Sequence, residues 1–523
     1  MNFTDLLQKA LDDLVAPGAS LSAFRPELTL CATIAVILLA KIVVPRWNTG
    51  AFYLTLSGVI AAIYFAWPPA SIPAATPIFG NALMYDSWTV FLRELLLLFA
   101  VLFTAFTQVA GVSNQDDMTE FYVLVLGALV GMCLMISANH ILIVMLGVEM
   151  ASVPSYVLAG IQRQRPKSSE ASLKYAVFGA GAAGIMLYGM SLLVGVLGTA
   201  HLPTMATRLA ELLQTGGHDH TMVLVLGGLM LTVGVAFKLS AFPFHFWAPD
   251  VFEGALAEVG AFLSIASKAA ALGLLVRLAI GFSFSPDAAN LAALEPVRHY
   301  IVMLVGLLAA VTCTFGNLAA YGQTNMKRLL AYSTIAHAGY MMMPVAAAVA
   351  LIGTNPAEAR NALAYLWVYI SIYLFMNLAA FAMVAFLRNA LQSEEIADYA
   401  GLVRKSPGLT ICMALVMFSL VGLPPLAGFA GKLFIFASLL NAKLWIVLGV
   451  GLLNTVLSLF YYLRVVKVMV MAPEPLHRPA PTIPLTSLAG SYCMFLTTFV
   501  VALFFLVDGL LNWAHAAASA LLY

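Results

Sequence analysis

The chain has 523 residues, of which 62% are hydrophobic and only 9% are charged. Its mean hydropathy of +0.96 excludes a soluble globular protein, because a soluble fold could not bury so much apolar surface, and indicates an all-α polytopic membrane protein. The formal net charge of +1 argues against nucleic acid as a partner, since no basic stripe is available to neutralise phosphates.

Residues 1–26 form an N-terminal segment before the first apolar stretch. Its acidic residues Asp5, Asp12 and Asp13, without a basic region ahead of an apolar core, do not fit a cleavable signal peptide. Two interpretations stay open, a polar tail and a short amphipathic helix lying on the membrane surface. The apolar face of that helix would consist of Leu6, Leu7, Ala10, Leu11 and Leu14.

Apolar stretches long enough to cross a hydrocarbon core of about 30 Å predict about 14 transmembrane helices. The predicted spans are 27–44, 51–67, 85–110, 119–137, 138–161, 171–199, 221–255, 256–282, 297–320, 327–352, 361–387, 408–440, 444–469 and 485–512. They group into three spans (27–110), a first five-helix unit (119–282), a second five-helix unit (297–469) and a C-terminal span (485–512).

The seventh and twelfth spans are too long and are interrupted, by Pro243 and Pro249 in one and by Gly422, Pro424 and Pro425 in the other. Proline removes an amide donor and clashes with the preceding turn, so both helices are predicted to be discontinuous. Transporters use such half-helix ends to bind ions at mid-membrane depth. For the seventh span, the alternative is that Pro243 only ends a helix and opens a loop.

The two interrupted spans occupy the same fourth place in helices 4–8 and helices 9–13. Because five is odd, the second unit enters the membrane from the opposite side, which predicts two inverted repeats.

Lysine and arginine are distributed unequally between the two sets of loops, which predicts the orientation. The richer set contains Arg46, Arg163, Arg165, Lys167, Lys327, Arg328, Arg388, Arg404, Lys405 and Arg478. The poorer set contains Arg25, Arg208, Arg298, Arg360 and Lys443. With the richer set in the cytoplasm, both termini are expected on the outer, periplasmic side.

Charged residues inside these apolar spans include Glu149, Lys174, Lys238, Lys268 and Lys432. A charge at the bilayer centre costs roughly 2.5–3.5 kcal/mol on insertion scales, so a chain that keeps several is expected to use them to move ions or protons.

Glu149 lies far from either end of its helix, and its short side chain cannot reach the interface. We interpret it as a proton-exchanging carboxylate whose natural cationic neighbour is Lys238, just before the Pro243 break. The alternatives are a protonated glutamate hydrogen-bonded between helices and a static ion pair.

Lys268 lies near the middle of the eighth span, with Ser264 and Ser267 able to support water. Lys432 follows the second break, where it could instead cap unwound carbonyl groups. Lys174 is only a few residues into its helix and could extend to the interface.

His140, His245 and His337 occur singly in their helices. Only His337, in the stretch YSTIAHAGY, has enough polar residues close to it in the sequence for a proton relay. Bis-histidine haem ligation is an alternative that no other feature favours. Without a CxxC motif, a Walker loop or a dinucleotide fingerprint, no metal or cofactor site is expected in this chain, so a partner must supply the energy. The cysteines are isolated: Cys31, Cys133, Cys313, Cys412 and Cys493.

Five stretches carry a family resemblance: GVEMASVPSY (147–156), EASLKY (170–175), FKLSAFPFHFW with PDV (237–251), QTNMKRLLAYS with AHAGY (323–340) and GLPPLAGFAGK (422–432). With them the chain resembles the antiporter-like membrane subunits of respiratory complex I. The resemblance implies fourteen helices, two inverted five-helix units and no redox cofactor in this chain, with flavin and iron–sulfur clusters in partner subunits. It also implies a proton path from the pair Glu149 and Lys238, through Lys268, to Lys432.

Within that family, lysine at position 432 resembles subunits N and L rather than M. Because the chain ends at Tyr523, soon after the last span, subunit N is expected. One departure is the stretch Leu256-Ala-Glu258-Val, where the family usually has a proline and small residues.

The predicted function is therefore that of a proton-translocating subunit of NADH:quinone oxidoreductase in the bacterial cytoplasmic membrane, with lipid and neighbouring antiporter-like subunits as partners. The alternatives are a subunit of a multisubunit cation/proton antiporter or membrane-bound hydrogenase, and a scaffold whose buried charges only fix helix register.

Overall fold

A computed structural model describes residues 20–44, 49–67, 75–112, 118–215, 218–474 and 481–521. The possible amphipathic helix within residues 1–19, and the loop residues Arg46 and Arg478, lie outside the described residues.

Most of the described chain is α-helical, and the helices are numbered here in chain order. They are α1 (Ser20–Ala23), α2 (Arg25–Val43), α3 (Gly50–Ala66), α4 (Ser87–Val109), α5 (Met118–Ser137), α6 (Ile141–Ala159), α7 (Pro166–Leu197), α8 (Leu202–Gln214), α9 (Thr221–Leu239), α10 (Trp247–Gly254), α11 (Ala257–Ser283), α12 (Ala288–Ala293), α13 (Glu295–Ala320), α14 (Met326–Leu351), α15 (Pro356–Leu391), α16 (Leu402–Lys405), α17 (Pro407–Val421), α18 (Ala427–Asn441), α19 (Trp445–Met471), α20 (Leu488–Phe505) and α21 (Val507–Ala518). Strands β1 (Thr76–Ile78) and β2 (Leu83–Tyr85) form an antiparallel hairpin.

Within the described residues, twelve helices are long and apolar enough to cross a membrane. The prediction of a polytopic α-helical membrane protein is therefore confirmed. Three of the twelve, α11, α14 and α15, are buried along nearly their whole length and form the centre of the bundle. Helices such as α2 and α19 are buried on only one side and lie at its periphery.

Both predicted interruptions are present. Helix α9 ends at Leu239 and the chain resumes as α10 at Trp247, whereas α17 ends at Val421 and α18 begins at Ala427. Ser240 and Gly422 adopt left-handed φ values of 55° and 91°, which end the first half-helix in each case.

Several elements do not follow from the apolar stretches, among them helix α8 and the β1–β2 hairpin. Helix α8 buries one face and exposes the other, so its average hydropathy is too low to stand out as a span. The β1–β2 hairpin is short and packs Ile78 and Leu83 against Leu134 of α5. The last predicted span, 485–512, is divided between α20 and α21.

A buried ion pair joins α4 to the central helix α11. Asp86 caps α4 by accepting a hydrogen bond from the Thr89 backbone N–H at 2.9 Å. The Arg277 guanidinium donates to both Asp86 carboxylate oxygens at 2.6 Å and to the Ile136 carbonyl at 2.9 Å. This bidentate geometry fixes α11 against α4 and α5.

Candidate functional site

Glu149 of α6 and Lys238 of α9 line one small cavity, together with Ser152, Tyr156 and Met186. Lys238 is buried and Glu149 is half-buried. The Glu149 Oε1 atom and the Lys238 Nζ atom have no hydrogen-bond partner among the described residues. An ammonium and a carboxylate that share a cavity without a hydrogen bond between them can exchange a proton through water.

The position of Lys238 follows from the break in its helix. It lies in the last turn of α9, one residue before the helix ends at Leu239. The carbonyl groups at a helix C-terminus carry partial negative charge, which favours a cation there. Gly179 of α7 allows this helix to pack closely against α6 beside the cavity, because a Cβ at position 179 would lie 2.0 Å from the Tyr156 hydroxyl.

The side chain of Lys268, on α11, binds the C-terminal end of α9 at the same interruption. Its Nζ is buried and donates a hydrogen bond of 2.6 Å to the carbonyl oxygen of Leu239, the residue after Lys238. The carbonyl group at the end of α9 therefore connects Lys268 to the residue that follows Lys238.

Lys432 of α18 binds the second break in a similar way, but it lies on the second half of the broken helix itself. Its Nζ donates to the carbonyl oxygens of Leu420 and Val421 at 3.1 and 2.8 Å, at the end of α17. The capping of unwound carbonyls that the sequence left open is thus present. The Lys432 ammonium also lies 4.5 Å from the Tyr340 ring centroid, a cation–π contact.

Polar side chains connect α11 to α14 across α15. Ser264 lies one turn before Lys268, and its hydroxyl accepts a hydrogen bond of 2.6 Å from Asn377 Nδ2. The same Nδ2 donates to the Tyr373 hydroxyl at 3.0 Å, and Tyr373 donates to Thr334 Oγ1 at 3.2 Å. All five of these side chains are buried.

His337 continues this row toward Lys432. Its Nδ1 lies 2.7 Å from the Tyr369 hydroxyl and its Nε2 lies 3.3 Å from the Tyr462 hydroxyl. Its ring also packs beside Tyr340, with the ring centroids 6.0 Å apart, and Tyr340 contacts Lys432. The structure therefore places His337 between the Ser264–Thr334 hydrogen bonds and Lys432.

Lys174 is separate from this buried row. Its side chain is 37% exposed and forms ion pairs with Glu170 at 2.7 Å and with Asp250 of α10 at 2.6 Å. Asp250 also pairs with Arg328 at 2.6 Å. Lys174 thus helps to tie the second half of the broken helix to its neighbours at one end of the bundle.

Four members of the buried row were not found from the sequence: Asn377, Tyr373, Tyr369 and Tyr462. Charged residues and histidines stand out in apolar spans, whereas tyrosines and amides are less conspicuous. Asn377, an amide in the middle of the long apolar helix α15, was an available signal, because burying an unpaired amide is costly.

No group of three or more His, Cys, Asp or Glu side chains that could hold a metal ion occurs within the described part of the chain. The expectation that this chain carries no cofactor stays a prediction.

Residues 138–458 match the family described as NADH:quinone oxidoreductase/Mrp antiporter, transmembrane. The NADH-quinone oxidoreductase subunit N of Rhodospirillum rubrum is 38% identical over 503 residues, which cover 95% of this chain and 97% of that protein. The chain belongs to this family. The family prediction is therefore confirmed, and the matched region contains the site residues predicted from the sequence, Glu149, Lys174, Lys238, Lys268, His337 and Lys432.

Solved structures agree with this assignment. A chain of respiratory complex I from Thermus thermophilus has a TM-score of 0.71 and 29% identity, and the match covers 93% of this family member and 98% of that chain. A chain of the Mrp complex from Dietzia has a TM-score of 0.74 at 18% identity, covering 96% and 98% of the two chains, which shows a shared fold alone.

Proposed function

We propose that this chain is a proton-translocating subunit of an NADH:quinone oxidoreductase, with the role that subunit N has in its relatives. The observation that carries the proposal is the buried row itself: Lys268 and Lys432 are bound to the carbonyl ends of interrupted helices and have buried polar side chains between them, and the buried Lys238 lies in the last turn before the first interruption. The partners are the neighbouring antiporter-like subunits and the lipid bilayer. Flavin and iron–sulfur clusters in other subunits carry the electrons from NADH to quinone.

In the proposed mechanism, Glu149 and Lys238 receive the signal from a neighbouring subunit. Moving an opposite charge toward or away from a buried group changes its affinity for a proton. A change in the distance between Glu149 and Lys238 therefore changes the proton affinity of Lys238 and then that of Lys268. Lysine suits this task because its ammonium group can release a proton when desolvated, whereas arginine keeps its charge.

From Lys268, the proton moves along the polar row past His337 to Lys432, which acts as the outlet. Ser264, Asn377 and Thr334 offer hydroxyl and amide groups that can order water along the route. Lys174, outside the row, acts as a positioning residue through its ion pair with Asp250.

We also propose fourteen transmembrane spans, in which α3 and the pair α17–α18 join the twelve long helices and α10 completes the span begun by α9. The first unit (119–282) and the second unit (297–469) are then inverted repeats. In support, each has a buried lysine bonded to the carbonyl end of its first half-helix: Lys268 to Leu239, and Lys432 to Val421.

We place the protein in the bacterial cytoplasmic membrane with both termini on the periplasmic side. Ion pairs support the grouping of the basic loops at one end of the bundle. Glu253 of α10 pairs with Lys167 at 2.9 Å and with Arg328 at 3.0 Å. Lys327, beside Arg328, pairs with Glu394 at 2.9 Å.

The test uses the complete complex reconstituted in liposomes. We expect Lys238→Gln and Lys268→Gln to assemble and to lose most proton pumping, because glutamine cannot carry a proton. Lys467→Gln is the matched control, since Lys467 is exposed on α19. Pumping would be followed with a pH-sensitive dye, and quinone reduction by absorbance in the same vesicles. Normal pumping by both buried-site variants would exclude the path.

A cation/proton antiporter subunit is the second candidate, favoured by the family description, which includes Mrp antiporters. Purification separates the two candidates. Co-purification with flavin and iron–sulfur subunits supports the first, whereas their absence together with sodium-dependent proton flux supports the second.

A further inference from the structure

Glu258 is a buried carboxylate that the row above does not use. It lies in the first turn of α11, and its side chain is 0% exposed. Neither carboxylate oxygen has a hydrogen-bond partner among the described residues. A buried ionised carboxylate without hydrogen bonds is costly, so such a group is expected either to bind a proton or to exchange one with its surroundings.

The charges around Glu258 come from three neighbouring segments. The Arg388 guanidinium of α15 is 3.6 Å away, too long for a hydrogen bond. Lys327 of α14 is buried and pairs with Glu394, which follows α15. Tyr399, in the same loop as Glu394, has a buried hydroxyl without a hydrogen-bond partner in the described chain. The site therefore holds two carboxylates, two cations and a phenol.

This cluster also contacts the C-terminal end of α10, the second half of the first interrupted helix. The Lys327 Nζ donates a hydrogen bond of 2.7 Å to the carbonyl oxygen of Ala255, the residue after α10. Glu258 is three residues further on and is on the same helix as Lys268. Glu258 and Lys268 are ten positions apart, so with a rise of about 1.5 Å per residue they are separated by roughly 15 Å along α11.

We propose that Glu258 is a proton-binding group at the entrance to this pathway, passing protons from the basic-loop side of the bundle toward Lys268. The proposal rests on the proposed function. Arg388 is near enough to favour the ionised form without occupying either oxygen, so proton binding to Glu258 needs no hydrogen bond to break. Lys327 and Glu394 stabilise each other and hold the Ala255–Leu256 connection in place.

The first experiment compares Glu258→Gln with wild type in the reconstituted complex. Glutamine keeps the shape of the side chain and removes its proton exchange. We expect assembly to be unchanged and the pumping rate to fall at least about tenfold, because a positioned proton-transfer group typically contributes about 100-fold or more. Glu211→Gln is the matched control, because Glu211 is exposed on α8. Glu258→Asp, which keeps the acid, is expected to restore part of the rate.

Lys268→Gln is measured in parallel to separate this proposal from the proposed function. If Lys268→Gln stops pumping while Glu258→Gln pumps like wild type, Glu258 is not on the pathway and the proposed function stands. If neither variant reduces pumping, the proposed function itself is wrong.

A second experiment needs no variant. An apolar carbodiimide reacts with protonated carboxyl groups in apolar surroundings, and peptide mass spectrometry locates the adduct. We expect modification at Glu258 in the wild-type complex that declines as the pH rises. Absence of that adduct under conditions that modify the half-buried Glu149 would overturn the proposal, including in the case where Glu258→Gln does not assemble.

Discussion

Replacing Asn377 with leucine should separate the stability of the protein from its proton transfer. Asn377 is buried on α15 and links Ser264 to Tyr373 through hydrogen bonds of 2.6 and 3.0 Å. In Asn377→Leu both hydroxyl groups keep an acceptor, because Ser264 donates to the Ala261 carbonyl and Tyr373 donates to Thr334.

The net change in stability that we expect for Asn377→Leu is small. Each lost hydrogen bond costs about 1 kcal/mol in net stability. The substitution also removes the Asn377 Oδ1 atom, which has no hydrogen-bond partner among the described residues. Since an unsatisfied buried acceptor costs about 1–3 kcal/mol, the two effects nearly cancel, and the free energy of unfolding should change by about 1 kcal/mol or less.

The effect on function should be large, because leucine interrupts the polar row between Lys268 and His337. We expect the pumping rate of the reconstituted complex to fall about tenfold. This is less than the roughly 100-fold or greater effect of losing a proton-transfer group itself. Thermal unfolding in detergent measures the stability of the same preparation.

Asn317→Leu is the matched control. Asn317 is equally buried, on α13, where its Nδ2 donates to Asn454 Oδ1 at 3.2 Å and its Oδ1 accepts from the Tyr461 hydroxyl at 3.0 Å. Leucine there leaves polar partners without their bonds, so stability should fall by about 2 kcal/mol while pumping per assembled complex stays near wild type. Wild-type pumping by Asn377→Leu, or equal loss of pumping in both variants, would refute the reasoning.

Two further predictions concern the ionic contacts. Asp86→Asn keeps the helix cap but leaves the Arg277 charge unpaired, and should cost about 3 kcal/mol in thermal unfolding of the purified protein. Asp287→Asn is the matched control, because Asp287 is an exposed cap of α12, and it should change stability by less than about 0.5 kcal/mol. An equal loss of stability in Asp86→Asn and Asp287→Asn would disprove a role for the ion pair. Lys432→Arg keeps the positive charge at the second break but cannot release a proton, so the complex should assemble and pump poorly; wild-type pumping would remove Lys432 from the outlet role.

Most of the helices and both breaks could be predicted from the sequence, because apolar length and proline chemistry are local properties. Lys238, Lys268 and Lys432 stood out because charge is rare in such spans. The contacts that connect them could not be predicted, since Ser264 and Asn377 belong to helices far apart in the chain and their meeting depends on packing. Helix α8 was missed because its apolar face is balanced by polar residues.

The acceptors that hold Lys268 and Lys432 are peptide carbonyls of Leu239, Leu420 and Val421. Any amino acid at these three positions supplies the same oxygen atom. The side chains there are therefore free to drift during evolution as long as the helices still end where they do, and selection should act on the glycines and prolines that set those ends. Homologues that have lost the lysines while keeping the interruptions would retain two vacant electronegative sites ready to host another cation.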